Sequence, residues 1–234
     1  ASAEYALLPG ASVAAMPASL TFQQAAAVPL SASTALQALR DVAKVKPGER
    51  VLVVGASGGV GTFAVQLARI LGADVTGVCS ARHVALVREL GAHRVLDHGQ
   101  TDFTRESERY DVVFNTTFAR TFLACRRVLT RAGRYVTVAL PPPVLDLIAG
   151  TLLPGRRFQM SSVHPRAEDL RQLGAWIDSG QLRPVISEVF PHTRFAEAHR
   201  ACEAGQTGGK LVVDLESLAQ ALDAPVAGDK QASR

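Results

Sequence analysis

The apolar positions of this chain change period several times, and each change marks an element. Val51-Leu52-Val53-Val54 is a short, β-branched apolar run, the pattern of a strand buried on both faces. It runs into small residues, Gly55-Ala56-Ser57-Gly58-Gly59-Val60-Gly61. Beyond them Val60, Phe63, Ala64, Leu67, Ala68 and Leu71 recur at spacings of three and four, which predicts a helix. Upstream, residues 1–28 are rich in Ala and Pro and predict only short strand fragments over 4–8 and 13–16. Thr21 with Gln24 three residues on reads as a capped helix start. Pro29 interrupts that helix, a helix follows over 33–42, and Lys46-Pro47-Gly48-Glu49 makes a turn.

Downstream the alternation continues. Strands are predicted over 74–79, 94–97, 110–115, 134–140 and 158–163. Helices are predicted from Ser80-Ala81-Arg82 to Leu90, over about 119–129 and over 144–153, with a last one from Pro165 to Gly180 carrying Leu170, Leu173, Trp176 and Ile177. The ending Leu-Gly-Ala occurs twice, at Leu71-Gly72-Ala73 and Leu90-Gly91-Ala92, placing a glycine just past each of two helices. Residues 101–108 are a polar connection with one short helical turn, Ala132-Gly133 stops the 119–129 helix, and Pro141-Pro142-Pro143 forbids regular structure. From Pro184 the rhythm becomes strand 185–190, helix 193–205 and strand 211–215. Residues 216–234, with few apolar anchors, read as a disordered tail. Strands and helices alternating through short turns predict an α/β fold with a doubly wound parallel sheet, whose ligands sit beyond the carboxyl ends of the strands.

The small-residue turn is close to the dinucleotide pattern G-x-G-x-x-G, read here as Ala56-x-Gly58-x-x-Gly61. Gly58 would let backbone approach a pyrophosphate and Gly61 would let the helix lie against the strand, with free N–H groups at the helix start directed at the phosphates. The alternative is a tight turn without a ligand. An NAD-preferring site carries an acid at the end of the second strand. Here that end reads Val78-Cys79-Ser80-Ala81-Arg82-His83, without one. Ser80 and Arg82 can donate to a 2′-phosphate, which predicts NADP(H). The alternative is that Ser80 only caps the next helix and Arg82 is a solvated side chain.

Composition adds bounds. The 234 residues are 47% hydrophobic and 20% charged with net charge +4, ordinary for a globular protein. The basic residues form no long run, so nucleic acid is not an expected partner. Cys79, Cys125 and Cys202 are scattered, without C-x-x-C, which predicts free thiols and a cytoplasmic location. No apolar stretch suits a bilayer span, no signal peptide is seen, and the first residue is Ala1, as in a piece of a longer protein. A methyltransferase, another parallel-sheet fold with a glycine-rich turn, would usually carry an acid near that turn, and none lies between Arg50 and Asp74.

The stretch VLVVGASGGVGTFAVQLARILGADVTGVCSARHVALVRELGA resembles the Rossmann cofactor domain of the medium-chain dehydrogenase/reductases, and the zinc-independent quinone oxidoreductase-like branch most. EYALLP, AAAVPLSASTALQAL, YDVVFNT, RRVLTRAGRYVTV and RPVISEVFP…FAEAHRACEAG…GGKLVVDL extend the resemblance over roughly residues 1–215. It implies a division into 1–28 as a remnant of a β-rich, GroES-like catalytic domain, 29–182 as the Rossmann domain, 183–215 as a segment returning to the catalytic domain, and 216–234 as the tail. Most of the catalytic domain has no counterpart here.

The resemblance further implies that Ala56, Ser57, Gly58, Gly59, Val60 and Gly61 hold the cofactor's pyrophosphate. Thr34 would lie near the nicotinamide, with Asn115 on the cofactor's path and His98 beside the adenosine. Leu140 and Ser162-Val163 would line the nicotinamide pocket, although core packing explains Leu140 and Val163 equally. Lys210 of the closing Gly-Lys has a structural salt bridge as its plain explanation. Zinc-dependent relatives place a Cys where this chain has Leu30, so no metal is expected. The expected activity is hydride transfer from NADPH to a quinone, enone or carbonyl, with no residue assigned as catalytic acid. The alternative is a non-catalytic NADP(H)-binding fragment or shortened paralogue. A small-molecule substrate and a homodimer through the edge strand near 158–163 complete the expectations, with no membrane partner.

Overall fold

The structure, a computed structural model, describes residues 6–117, 120–138, 142–205 and 207–215. Strands β1 (Arg50–Val54), β2 (Asp74–Cys79), β3 (Arg94–Asp97), β4 (Tyr110–Asn115), β5 (Leu129–Thr137) and β6 (Arg157–Met160) form one sheet in the order β3-β2-β1-β4-β5-β6. Every pairing is parallel. This is the doubly wound α/β arrangement the alternation predicts, with the strand order reversing at β1 and β4. Strands β7 (Ile186–Pro191) and β8 (Lys210–Asp214) form a separate parallel pair. The helices are α1 (Phe22–Ala26), α2 (Pro29–Gln37), α3 (Gly59–Ile70), α4 (Val84–Glu89), α5 (Phe122–Cys125), α6 (Val144–Leu152), α7 (Ala167–Asp178) and α8 (Phe195–Glu203).

The sheet has a core on each face. Val51 and Val53 of β1 pack with Leu36 and Leu39 of the α2 region, Phe63 and Leu67 of α3, and Leu173 of α7. Leu52 and Val54 face the other way, toward Val113, Phe122, Tyr135 and Ala149. Successive residues of a strand point to opposite faces, so a strand covered on both must be apolar throughout. Phe122, Tyr135 and Phe158 form an aromatic cluster on the second face, with ring centroids 5.6 to 5.8 Å apart.

Local chemistry explains most element ends. Thr21 and Gln24 form a complete capping box ahead of α1. Pro29, instead of breaking a helix, occupies the first turn of α2, where a missing N–H costs nothing. Gly72 and Gly91 follow α3 and α4 at φ +83° and +105°, the left-handed conformation of a helix stop.

Other expectations need correction. Residues 6–9 and 13–16 form no strand, and Leu7 is fully exposed. The helix expected over 119–129 is the four-residue α5. Thr121 caps it, and the buried Asp146 carboxylate accepts from the Phe122 and Leu123 N–H groups at 2.7 and 3.2 Å. The chain is in β5 by Leu129, so Ala132-Gly133 lies within a strand. The register with β4 shifts between Tyr110 and Val112, and a side chain on Gly133 would meet Leu129 Cβ at 3.0 Å. The glycine therefore serves a strand irregularity. The tail 216–234 lies outside the described residues, as do Glu4, Tyr5, Ala119 and Leu140.

Candidate functional site

At the carboxyl ends of β1, β2 and β4 lies a cavity of about 780 Å³. Its floor is the turn from β1 into α3. Gly55 sits at φ +82°, and a Cβ there would come within 2.5 Å of Thr117 Cγ2. The Gly55 and Ala56 N–H groups both donate to Val78 O of β2, at 3.1 and 2.9 Å, pinning the turn to the sheet.

Each motif position has a distinct physical reason. Ala56 is fully buried, and its methyl would stand 3.0 Å from a Cβ on Gly77 of β2. The turn accepts alanine because the strand opposite carries glycine. A Cβ on Gly61 would lie 2.0 Å from Gly55 O, so only glycine lets α3 rest on the strand end. Gly58 caps α3 in extended conformation, without a side-chain cap. Its own N–H donates to Gly55 O at 3.0 Å, which removes it from the amides expected to reach a phosphate. The first helical donor back into α3's ladder is Thr62, to Gly58 O at 2.9 Å. The N–H groups of Gly59, Val60 and Gly61 are the helix's unsatisfied donors, with Gly59 and Val60 in the cavity wall and Gly61 buried behind it.

Thr34, Ser57, Gly58, Gly59, Val60, Ser80, Arg82 and His98 all line this cavity. Thr34 Oγ1 donates to Leu30 O at 2.7 Å within its own helix. Ser80 occupies the position before the helical turn at 81–83 but does not cap it with its side chain. Its hydroxyl instead lies 3.2 Å from His83 Nδ1. His83, also in the wall, has its imidazole pushed below the ordinary 6.5 by burial and then by the Arg82 charge. Cys79 lines the same corner with its thiol raised to about 11 by burial and the nearby Asp97 carboxylate, so it is a packed thiol rather than a reactive one.

Of the other candidates, those among the described residues do not join them. Ala56 and Gly61 shape the turn from behind. Asn115 is buried beneath the cavity: its amide donates to Arg120 O at 2.8 Å and Tyr135 Oη at 2.7 Å, and its oxygen accepts from Thr117 N at 3.2 Å. It braces the loop after β4, while Thr116 and Thr117 beside it face the cavity. The Tyr135 hydroxyl donates onward to Arg120 O at 2.9 Å, and burial raises its pKa. Neither Ser162 nor Val163 reaches the wall.

Two further cationic residues stand in the wall: Arg120, which the sequence did not point to, and Lys210, for which a structural salt bridge was the plain expectation. Arg120 lies over the Phe103 ring at 5.9 Å and lines the cavity, after a loop whose course no motif specifies. Lys210 enters from β8. A Cβ on Gly59 would meet Lys210 Cδ at 2.6 Å, so the lysine stem crosses the start of α3. The same segment is fixed by Gly209 N–H donating to Ser57 O at 2.8 Å and Gln23 Nε2 donating to Asp214 Oδ2 at 2.8 Å. Among the described residues Lys210 makes no salt bridge within 4 Å, against its plain explanation. The closing Gly-Lys was the available signal.

Among the described residues no three His, Cys, Asp or Glu side chains gather as metal ligands. They do not by themselves form a zinc centre. Nor is any helix among them long and apolar enough to cross a membrane.

Comparison with known proteins gives a consistent setting. The family model for zinc-binding dehydrogenases matches residues 90–213. The chain is 33% identical over 239 residues to mouse NAD(P)H oxidoreductase RTN4IP1, mitochondrial, covering 91% of this chain and 60% of that protein. It is 30% identical to the trans-enoyl reductase pgmF of Aspergillus terreus, covering 92% of this chain and 65% of that one. The solved quinone oxidoreductase of Coxiella burnetii superposes with a TM-score of 0.77 at 31% identity, over 83% of this chain and 61% of the other. The chain thus spans about three-fifths of the length of these relatives. Strand order, glycine turn and family match together place this chain in the medium-chain dehydrogenase/reductase superfamily, as a quinone oxidoreductase-like member.

Proposed function

We propose that the cavity holds NADP(H) and that the protein is a reductase of quinones, enones or carbonyl compounds. The observation that carries this reading is the glycine cradle opening into one cavity, with Ser80 and Arg82 at the end of β2 and Thr34 on the wall of α2. The residues suit the group. Glycines 55 and 61 occupy places a Cβ would fill, and the open helix start offers Gly59 and Val60 amides to a pyrophosphate. Lys210 adds positive charge beside them. Ser80 and Arg82 would take the 2′-phosphate, and among the described wall residues no carboxylate stands to repel it. His98 offers a flat ring to the adenosine.

When bound, the nicotinamide supplies the hydride. The chain's own residues would position it: Thr34 and Val138 line the cavity, and the bridge between Gly58 and Gly209 sets the β8 end beside the glycine turn. No side chain of the wall is assigned as proton donor. Relatives named as an NAD(P)H oxidoreductase, a trans-enoyl reductase and a quinone oxidoreductase support hydride transfer to an electrophilic small molecule.

The second reading is a binding module without turnover, which needs no proton donor in the wall. Titration with NADPH and NADH, followed by turnover assays with quinones and enones, separates the two. Micromolar NADPH affinity with turnover supports the reductase. Affinity without turnover supports the module. No NADPH affinity defeats both.

We further propose that residues 1–28 and 183–215 belong to a second, substrate-binding domain and that two copies pair through β6. The edge strand has only β5 as neighbour, and Met160 with Val144, Leu145 and Leu152 leaves apolar surface exposed there. A monomer in sedimentation would remove the pairing. The free thiols suit a reducing compartment such as the cytoplasm, and fractionation would distinguish it from the mitochondrion named for the mouse relative.

A further inference from the structure

At the opposite rim of the sheet, where β4, β5 and β6 begin, several arginines gather. Arg109 immediately precedes β4, Arg126 and Arg127 precede β5, and Arg156 immediately precedes β6. These residues, with Leu123 and Leu153, line a depression of about 450 Å³. Backbone carbonyls hold three of the guanidinium groups. Arg126 donates to Pro154 O at 3.1 Å, Arg156 to Leu129 O at 3.2 Å, and Arg109 to Glu106 O at 3.1 Å and Glu108 O at 3.0 Å. Among the described residues, Arg126 Nε is buried without any hydrogen-bond partner.

Several arginines elsewhere are paired with acids. Arg40 meets Asp41 and Asp169, Arg94 meets Glu106 and Glu108, Arg134 meets Glu49, and Arg183 meets Glu89. Among the described residues no carboxylate lies within 4 Å of Arg109, Arg126, Arg127, Arg131 or Arg156. Glu106 and Glu108 are engaged by Arg94, and the Asp111 carboxylate accepts from Arg50 N at 3.0 Å and from Thr130 Oγ1 at 3.2 Å. The Arg156 guanidinium is held below its ordinary value by burial and then by the charges of Arg126, Arg109 and Arg131. Gathering like charges at fixed positions costs stability unless an anion compensates it.

We propose that this rim is a second anion site, for a diphosphate-bearing small molecule, at the far end of the sheet from the nicotinamide-cofactor cavity. Planar guanidinium groups anchored through one or two N–H groups retain others that can pair with phosphate oxygens. Several of them suit a ligand with more than one phosphate, and Leu123 and Leu153 leave apolar wall for what the phosphates are attached to. This site stands on its own residues and does not depend on what the larger cavity binds.

The test uses inorganic pyrophosphate as the probe, in calorimetric titration of the full chain at constant ionic strength, with NADPH present to occupy the glycine cradle. Wild-type protein is expected to bind one pyrophosphate, and the R126Q/R156Q double variant to bind it at least about tenfold more weakly. A second variant, R127Q/R131Q, alters only exposed side chains and guards against misfolding of the first. It is expected to weaken binding about threefold to tenfold, with an unchanged melting temperature. Inorganic phosphate at equal ionic strength should bind more weakly than pyrophosphate. Pyrophosphate binding that survives in both variants, an absence of binding in the wild type, or equal affinity for the two anions overturns the site.

Discussion

The two rims of the parallel sheet handle charge in different ways. At the carboxyl rim, backbone does much of the work: an unsatisfied helix start, glycines pressed within contact distance of one another, and a lysine stem laid across Gly59. At the amino rim, side chains do it, with arginines tethered to carbonyls in a shallow depression. A backbone cradle needs fixed geometry, so its residues are buried and intolerant of added atoms. A side-chain cluster tolerates substitution but is weakened by each charge removed. The carboxyl rim should therefore fail by steric exclusion and the amino rim by graded loss of affinity.

The sharpest test of that contrast is Gly61→Val. The Cβ alone would sit 2.0 Å from Gly55 O, so α3 must move off the strand. We expect a loss of roughly 3 kcal/mol or more in unfolding free energy, read by denaturant titration, together with loss of NADPH binding. A variant of wild-type stability would show that the turn is looser than described.

Next in size is Arg82→Ala. One charge-assisted contact to a phosphate corresponds to about tenfold to a hundredfold in affinity. NADPH should weaken by that factor while NADH changes little, as measured by fluorescence titration of both. Equal weakening of the two would place Arg82 away from the 2′-phosphate. Ser80→Ala should follow with a smaller effect, about fivefold on NADPH, since its hydroxyl is already engaged with His83 Nδ1.

The smallest expected effect is on pH dependence. His83 has a folded pKa below the ordinary 6.5, so the unfolded chain binds its proton more readily than the folded one. Its contribution to stability is fully present above 6.5 and is lost as pH falls from there through the depressed folded value. Thermal melts of the unliganded protein should show His83→Asn with a shallower loss of stability over that range. An identical profile for both proteins would mean that the histidine's environment does not differ on unfolding.

Much of this architecture was legible because the signals are local. Pro29, Gly72, Gly91 and the Thr21–Gln24 pair act within one or two turns of chain, and β1 announces burial on both faces by carrying apolar residues at every interior position. The glycine turn was legible for the same reason. Where long-range contacts decide, the sequence misled. The 119–129 segment has helical composition, and Thr121 caps α5 locally, yet Asp146, more than twenty residues on, also holds its first N–H groups, and pairing with β4 draws the chain into β5 by Leu129. Asn115 looked like a ligand because it ends a strand at the ligand rim. Its amide instead holds Arg120 O and Tyr135 Oη.

By itself, then, the sequence determined the alternation of strands and helices, the parallel doubly wound sheet and the place of the glycine turn, because period, capping and glycine chemistry operate over a few residues. Tertiary structure decided why Ala56 is accepted, since that depends on Gly77 in a neighbouring strand, and how Lys210 comes to cross Gly59. It also decided that arginines spread between 109 and 156 meet at one rim. The physical reason is the same in each case: side chains distant along the chain meet only once parallel strands are set in register, and no local pattern encodes that register.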